Sequence, residues 1–267
     1  MPSPSQTRRR ELARLRARRE AERKRARRRR AVVLYGGIGV AVLLLAGVAA
    51  VVLANRPAGK PAAAAAGKDA RADAPSAPAT VACGGTVPPR QQRQKLTKAP
   101  RATAQPNQTY LAVFKTSCGQ FTVRLDPKAT PITTFNFVFL AQRHYYDATW
   151  FHRIVPGGKG GLSVIQGGDP QGNGQGGPGY SIQDELPKGK DPYRKYTIAM
   201  ANTGQPNSGG SQFFISTADN PKLPPQYTVF GRVVSGQSVV DRIAKVPVQG
   251  ESPTEAVWIE KLTVDIT

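Results

Sequence analysis

The sequence predicts an all-β fold, a closed antiparallel barrel with helices over its open ends, standing behind one transmembrane helix. Three observations carry this expectation. Short runs with strand-like alternation recur after residue 107, only two helical stretches interrupt them, and an uncharged apolar run of 24 residues spans Ala31 to Ala54. Closing such a sheet would remove exposed edges, which otherwise template pairing between molecules.

The first segment, residues 1–30, holds 14 basic and 3 acidic residues, about half of the chain's formal net charge of +21. Dense like charge resists helix formation unless anions compensate it. Anionic lipid headgroups are the expected partner of residues 7–30. Nucleic acid is not expected, since no base-reading element or zinc-ligand set stands beside the basic run. Residues 31–54 exceed the roughly 20 apolar residues needed to cross a bilayer and the roughly 7–15 of a signal-peptide core. The basic block places the N-terminus in the cytoplasm. The expected location is therefore the cell membrane, single-pass, with the C-terminal domain extracytoplasmic; cleavage near Ala54 would leave the same domain untethered.

Residues 55–106 read as a linker. Between Pro57 and Thr80, 15 of 24 residues are Ala or Pro, a composition that suits a semi-extended spacer. The only two cysteines, Cys83 and Cys118, both follow the apolar run. Outside the membrane a pair favours a disulfide, here stapling the end of the linker to the first hairpin; the alternative is two unpaired thiols. Their spacing fits no metal site, and two histidines in the whole chain leave little material for one. Neither a metal nor a cofactor is expected.

The domain itself covers residues 107–267. A strand over 109–116, a turn at Ser117–Gln120 and a strand over 121–125 form the first hairpin. Thr130-Pro131 opens a helix running to about Gln142, with proline where its missing N–H costs nothing. Further strands are predicted over 150–155, 164–167, 196–201, 212–216, 228–233 and 256–266, with a short helix over 238–244. The glycine cluster at 167–179 has no GK[ST] and does not open a helix after a strand, so it is not a phosphate loop.

Phe151-His152-Arg153 lies on a predicted strand, where alternation puts Phe151 and Arg153 on one face. Phe214 and Gln212 share a face of another. Together they suggest a shallow apolar pocket with fixed donors, suited to a small ring carried on a peptide. No Ser-His-Asp set, no cysteine beside a base and no carboxylate pair is in evidence, which argues against covalent or hydrolytic chemistry.

Five pieces in order, FHRI at 151–154, IQGGDP at 165–170, GGPGY at 176–180, AMANTGQPNSGGSQFFIS at 199–216 and VFGRV at 229–233, resemble the cyclophilin family of peptidyl-prolyl cis-trans isomerases. The resemblance runs from about Thr109 to Ile266 and is read as that of a bacterial, membrane-anchored form. It implies an eight-stranded closed barrel capped by two helices, and isomerisation of X–Pro bonds in proline-containing polypeptides. Arg153 matches the catalytic arginine. Phe151 and Phe214 match walls of the proline pocket, joined by Val164 and Leu223. Gln166, Ala201, Asn202 and Gln212 match positions that hold the substrate backbone and orient the arginine, and His152 matches a supporting histidine. Lys222 stands where the family has tryptophan, Tyr227 where histidine is common, and Ser163 where a further pocket aromatic is usual. Lys222 cannot supply the contact and donor that the indole gives cyclosporin. The rival reading is a tethered proline-peptide-binding or chaperone module without turnover.

Overall fold

The computed structural model describes residues 77–89, 91, 93, 96–158, 161–189 and 191–267. The first hairpin pairs β1 (Tyr110–Thr116) with β2 (Gly119–Leu125), and its alternation drives Ala112, Phe114, Phe121 and Val123 into the core. Helix α1 (Pro131–Ala141) begins on a proline. It is followed by β3 (Thr149–Trp150), β4 (Arg153–Val155), β5 (Val164–Gly167), β6 (Thr197–Met200), β7 (Phe213–Ser216) and β8 (Val229–Ser235). Helix α2 (Gln237–Ile243), a small hairpin of β9 (Val248–Gln249) and β10 (Ser252–Pro253), and β11 (Trp258–Ile266) complete the chain.

The main sheet has nine strands in the order β3-β11-β1-β2-β8-β6-β7-β5-β4, antiparallel throughout. This corrects the expected closed eight-stranded barrel: the sheet is curled and open, with α1 packed on β11 and α2 on β2. The reason lies in one predicted strand. Residues 150–155 do not form a single element but break into β3 and β4, which sit at opposite ends of the sheet. At Phe151 the chain leaves the ladder, its N–H donating to the Val257 carbonyl (3.0 Å). The seam between the two edge strands is therefore crossed by the chain itself rather than by ladder hydrogen bonds. Inside the curl, Phe213 packs 5.6 Å from Phe114, 5.9 Å from Phe137 and 5.9 Å from Tyr146, ring edges to ring faces. Such pairs add to what area burial alone provides.

The described part of the expected linker lies against this sheet. Val81 forms a parallel bridge with Ala256, and Ala82 is fully buried. Cys83 and Cys118 are disulfide-bonded, with Cα atoms 5.0 Å apart. Further along, Arg93 donates to the Tyr145 and Asp147 carbonyls at 3.1 and 2.8 Å.

The expected anchor over 31–54 and the lipid-contacting segment over 7–30 lie outside the described residues. Among the described residues no helix is long and apolar enough to cross a membrane. This corrects the expected single-pass topology, the membrane and lipid partnering and the extracytoplasmic location, none of which is supported.

Candidate active site

Register brings the polar residues together. Arg153 on β4 pairs with Gln166 on β5, and Gln166 with Phe214 on β7, so these three side chains share one face of the sheet. Arg153 Nη1 donates to Gln166 Oε1 at 3.1 Å. Gln166 Nε2 donates to Gln212 Oε1 at 2.9 Å, and Gln212 Nε2 donates to the carbonyls of Gly174 and Gly176, both at 2.9 Å. Each amide in this relay has one orientation that satisfies both neighbours. The other side of the guanidinium donates from Nε to Glu251 Oε2 at 2.6 Å.

The relay ends on the glycine cluster, and that loop is built to receive it. Asp169, fully buried, accepts from the backbone N–H of Gln171, Asn173 and Gly174 at 2.8, 3.1 and 2.6 Å. A carboxylate so satisfied pays its desolvation with several donors at once. Gly168, at φ +81°, leaves room that a Cβ would fill 2.5 Å from the Ser211 carbonyl oxygen.

Beside the relay lies an apolar wall. The cleft that the two line has a volume of about 620 Å³. Leu162, Val164, Phe214, Leu223 and Tyr227 line it, together with Ala201 and Asn202. Phe214 meets Tyr227 edge to face at 5.3 Å and is backed by buried Tyr193 at 6.2 Å. The Tyr193 hydroxyl lies 3.1 Å from the carbonyl oxygens of Pro224 and Tyr227 and accepts from the Tyr227 N–H at 3.0 Å, which fixes the loop carrying Leu223. Ala201 N–H is used by the Gln212 carbonyl (2.9 Å) and Asn202 Nδ2 by the Gln226 carbonyl (2.8 Å).

The structure thus gathers Arg153, His152, Val164, Gln166, Ala201, Asn202, Phe214, Leu223 and Tyr227 around one cleft, with Gln212 lining the pocket that adjoins it. Phe151 is not among the lining residues. It is fully buried and packs edge-on to Phe213 at 6.1 Å, because it precedes β4 and does not share the Arg153 face. Leu162, which was not predicted, does line the cleft. Leu162 precedes β5, so strand alternation carries no signal for it. Ser163 is buried, and its N–H donates to Asn220 Oδ1 at 2.8 Å. Lys222 contributes to a small neighbouring pocket rather than to the main cleft. Glu251 carries no local signal, being 98 residues from Arg153 in sequence.

His152 borders the cleft but is buried, and among the described residues neither ring nitrogen has a hydrogen-bond partner. Burial lowers its pKa below the ordinary 6.5; the Arg153 charge acts in the same sense and Asp169 opposes it. A neutral imidazole with no partner is not placed for proton transfer.

Residues 111–264 match the family model described as cyclophilin type peptidyl-prolyl cis-trans isomerase/CLD. A peptidyl-prolyl cis-trans isomerase-like 1 from Aspergillus fumigatus is 42% identical over 156 residues, covering 57% of this chain and 93% of its own length. Peptidyl-prolyl cis-trans isomerase A of Mycobacterium tuberculosis is 37% identical over 187 residues, covering 63% and 96%. A crystal structure of a Cryptosporidium parvum cyclophilin type isomerase in the presence of the dipeptide Ala-Pro matches with a TM-score of 0.53 at 29% identity, over 58% of this chain and 98% of that one. The likeness spans fungal, mycobacterial and protozoan proteins, which corrects the expectation of a specifically bacterial, membrane-anchored form.

Proposed function

Because the chain belongs to the cyclophilin-type peptidyl-prolyl cis-trans isomerase family and catalyses isomerisation of X–Pro bonds, we propose that Arg153 is the donor that drives the reaction. The observation carrying this reading is the relay from Gln212 through Gln166 to Arg153 on one wall of the cleft. The planar amide is held by resonance behind a barrier of about 18–20 kcal/mol, and X–Pro bonds turn over unaided in tens to hundreds of seconds. Twisting the bond breaks conjugation and localises a lone pair on the imide nitrogen. A guanidinium fixed beside that nitrogen binds the twisted state more tightly than the planar one.

Val164, Phe214, Leu223, Tyr227 and Leu162 hold the proline ring while the preceding carbonyl rotates. Ala201, Asn202, Gln166 and Gln212 form the rim against which the peptide backbone is laid. His152 supports the Arg153 segment without exchanging a proton. The substrates are proline-containing polypeptides, and the enzyme domain is residues 107–267, with 55–106 leading into it. The chemistry asks for no nucleophile.

The test is the isomerisation rate of an X–Pro peptide with the purified chain, wild type beside Arg153→Ala. Removing one such donor costs about 2.7–4 kcal/mol of transition-state stabilisation, or roughly 100–1,000-fold in kcat. Arg153 is partly exposed at the cleft, so the variant should fold with an unchanged circular dichroism spectrum. A folded Arg153→Ala enzyme that turns over at the wild-type rate would remove Arg153 from the mechanism.

A further inference from the structure

Arg153 makes two hydrogen bonds in the cleft, and only one belongs to the glutamine relay. Nη1 donates to Gln166 Oε1 at 3.1 Å, and Nε donates to Glu251 Oε2 at 2.6 Å. A guanidinium is a rigid plane with five N–H donors. These two contacts occupy Nε and one hydrogen of Nη1, while among the described residues Nη2 has no partner. A plane held at two of its three nitrogens has its remaining edge fixed in direction.

The hairpin that carries Glu251 is itself tied to this place. Strands β9 and β10 enclose the turn Gly250-Glu251, with Gly250 at φ +67°. The Glu251 carbonyl accepts from the N–H of Ile154 at 2.8 Å, so Glu251 is joined to the Arg153–Ile154 segment through backbone and side chain alike. Thr254 closes the hairpin with N–H and Oγ1 bonds to the Pro247 carbonyl at 2.8 and 3.1 Å. Glu251, Ser252 and Pro253 all line the same cleft as Arg153.

We infer that Glu251 is a positioning residue for the isomerase reaction, its carboxylate fixing the Arg153 guanidinium so that the free Nη2 edge is presented to the substrate imide. This rests on Arg153 being the donor. The bond is short and charge-assisted, hence directional. The side chains of Arg153 and Glu251 are 35% and 52% exposed, and ion pairs so open to water contribute little to folding. The value of the contact therefore lies in orientation. An arginine ordered in the free enzyme needs no ordering at the transition state.

The experiment takes the full-length chain and measures kcat and KM on an Ala-Pro peptide for wild type, Glu251→Ala, Glu251→Gln and Arg153→Ala, with thermal unfolding of each. Glu251→Ala should lower kcat about tenfold, short of the ~100-fold that a fully misplaced group can cost, with KM and melting temperature nearly unmoved. Glu251→Gln keeps an acceptor oxygen for Nε and should recover most of kcat. Wild-type kcat in Glu251→Ala overturns the inference, and so does a Glu251→Gln enzyme as slow as Glu251→Ala, because charge rather than orientation would then be at work. An inactive Arg153→Ala beside a fully active Glu251→Ala sinks the positioning role alone; an active Arg153→Ala sinks the donor assignment and this inference with it.

Discussion

The two walls of the cleft are held by different forces. On the polar wall, Arg153, Gln166 and Gln212 are tied end to end and the chain of hydrogen bonds terminates on two backbone carbonyls. On the apolar wall, Leu162, Val164, Phe214, Leu223 and Tyr227 are held by shape, with Phe214 wedged between Tyr193 and Tyr227. A polar link that is cut leaves its neighbour without a partner and free to turn. An apolar member that is trimmed leaves a void. Damage to the first wall should therefore appear mainly in kcat, and damage to the second in KM and stability.

The largest effect is expected on the apolar side. Phe214 is 5% exposed and belongs both to the cleft and to the small cluster of Val164, Tyr193 and Ala199 beneath it. Phe214→Ala should cost about 3–5 kcal/mol of stability, read from urea unfolding, and raise KM because the ring pocket loses a side. A variant with the wild-type unfolding midpoint would break the division between the walls, since the ring would then be a surface feature and not a packed one.

A smaller loss, in a different quantity, is expected from the relay. Gln212→Leu preserves volume but removes the acceptor for Gln166 and the donor to Gly174 and Gly176. The rate constant kcat should fall about tenfold, equivalent to about 1.4 kcal/mol, while KM changes less. Stability should fall by about 1 kcal/mol, the usual net worth of a lost hydrogen bond. A change confined to KM would show that Gln212 only contacts substrate and does not orient Arg153.

The same contrast explains what could be read in advance. The polar wall was legible through the resemblance of FHRI, IQGGDP and SQFF to family motifs carrying Arg153, Gln166 and Gln212; that Arg153 stands abreast of Gln166 comes from the strand register. The apolar wall was visible in part: Val164, Phe214, Leu223 and Tyr227 line the cleft, whereas Phe151 does not. Phe151 misleads because alternation holds only within a strand, and the strand starts at Arg153. That same break leaves the sheet open where the pattern of short strands suggests closure. Glu251 could not be read at all, since its approach depends on a two-strand hairpin whose position is fixed by long-range contacts.

His152 borders the cleft beside Arg153, and it supplies the smallest effect. It is 8% exposed, with ring nitrogens that have no partner among the described residues, and burial lowers its pKa from 6.5. The charged groups acting on it are Asp169 and Arg153, of opposite effect. In the unfolded chain the ring takes a proton as pH falls through about 6.5, while the folded protein does not yet do so. The unfolded state then binds more protons, so this group leaves stability untouched above pH 6.5 and erodes it as the solution becomes more acidic. The erosion continues until the lowered folded pKa is reached. Its slope is at most about 1.4 kcal/mol per pH unit. Comparing unfolding of wild type and His152→Gln at pH 7.5 and 5.5 isolates this contribution, because other titrating groups are common to both. Wild type should lose more stability on acidification than the variant. Equal losses would mean that the ring is solvated or protonated in the folded state, and the polar wall around it would then be wet.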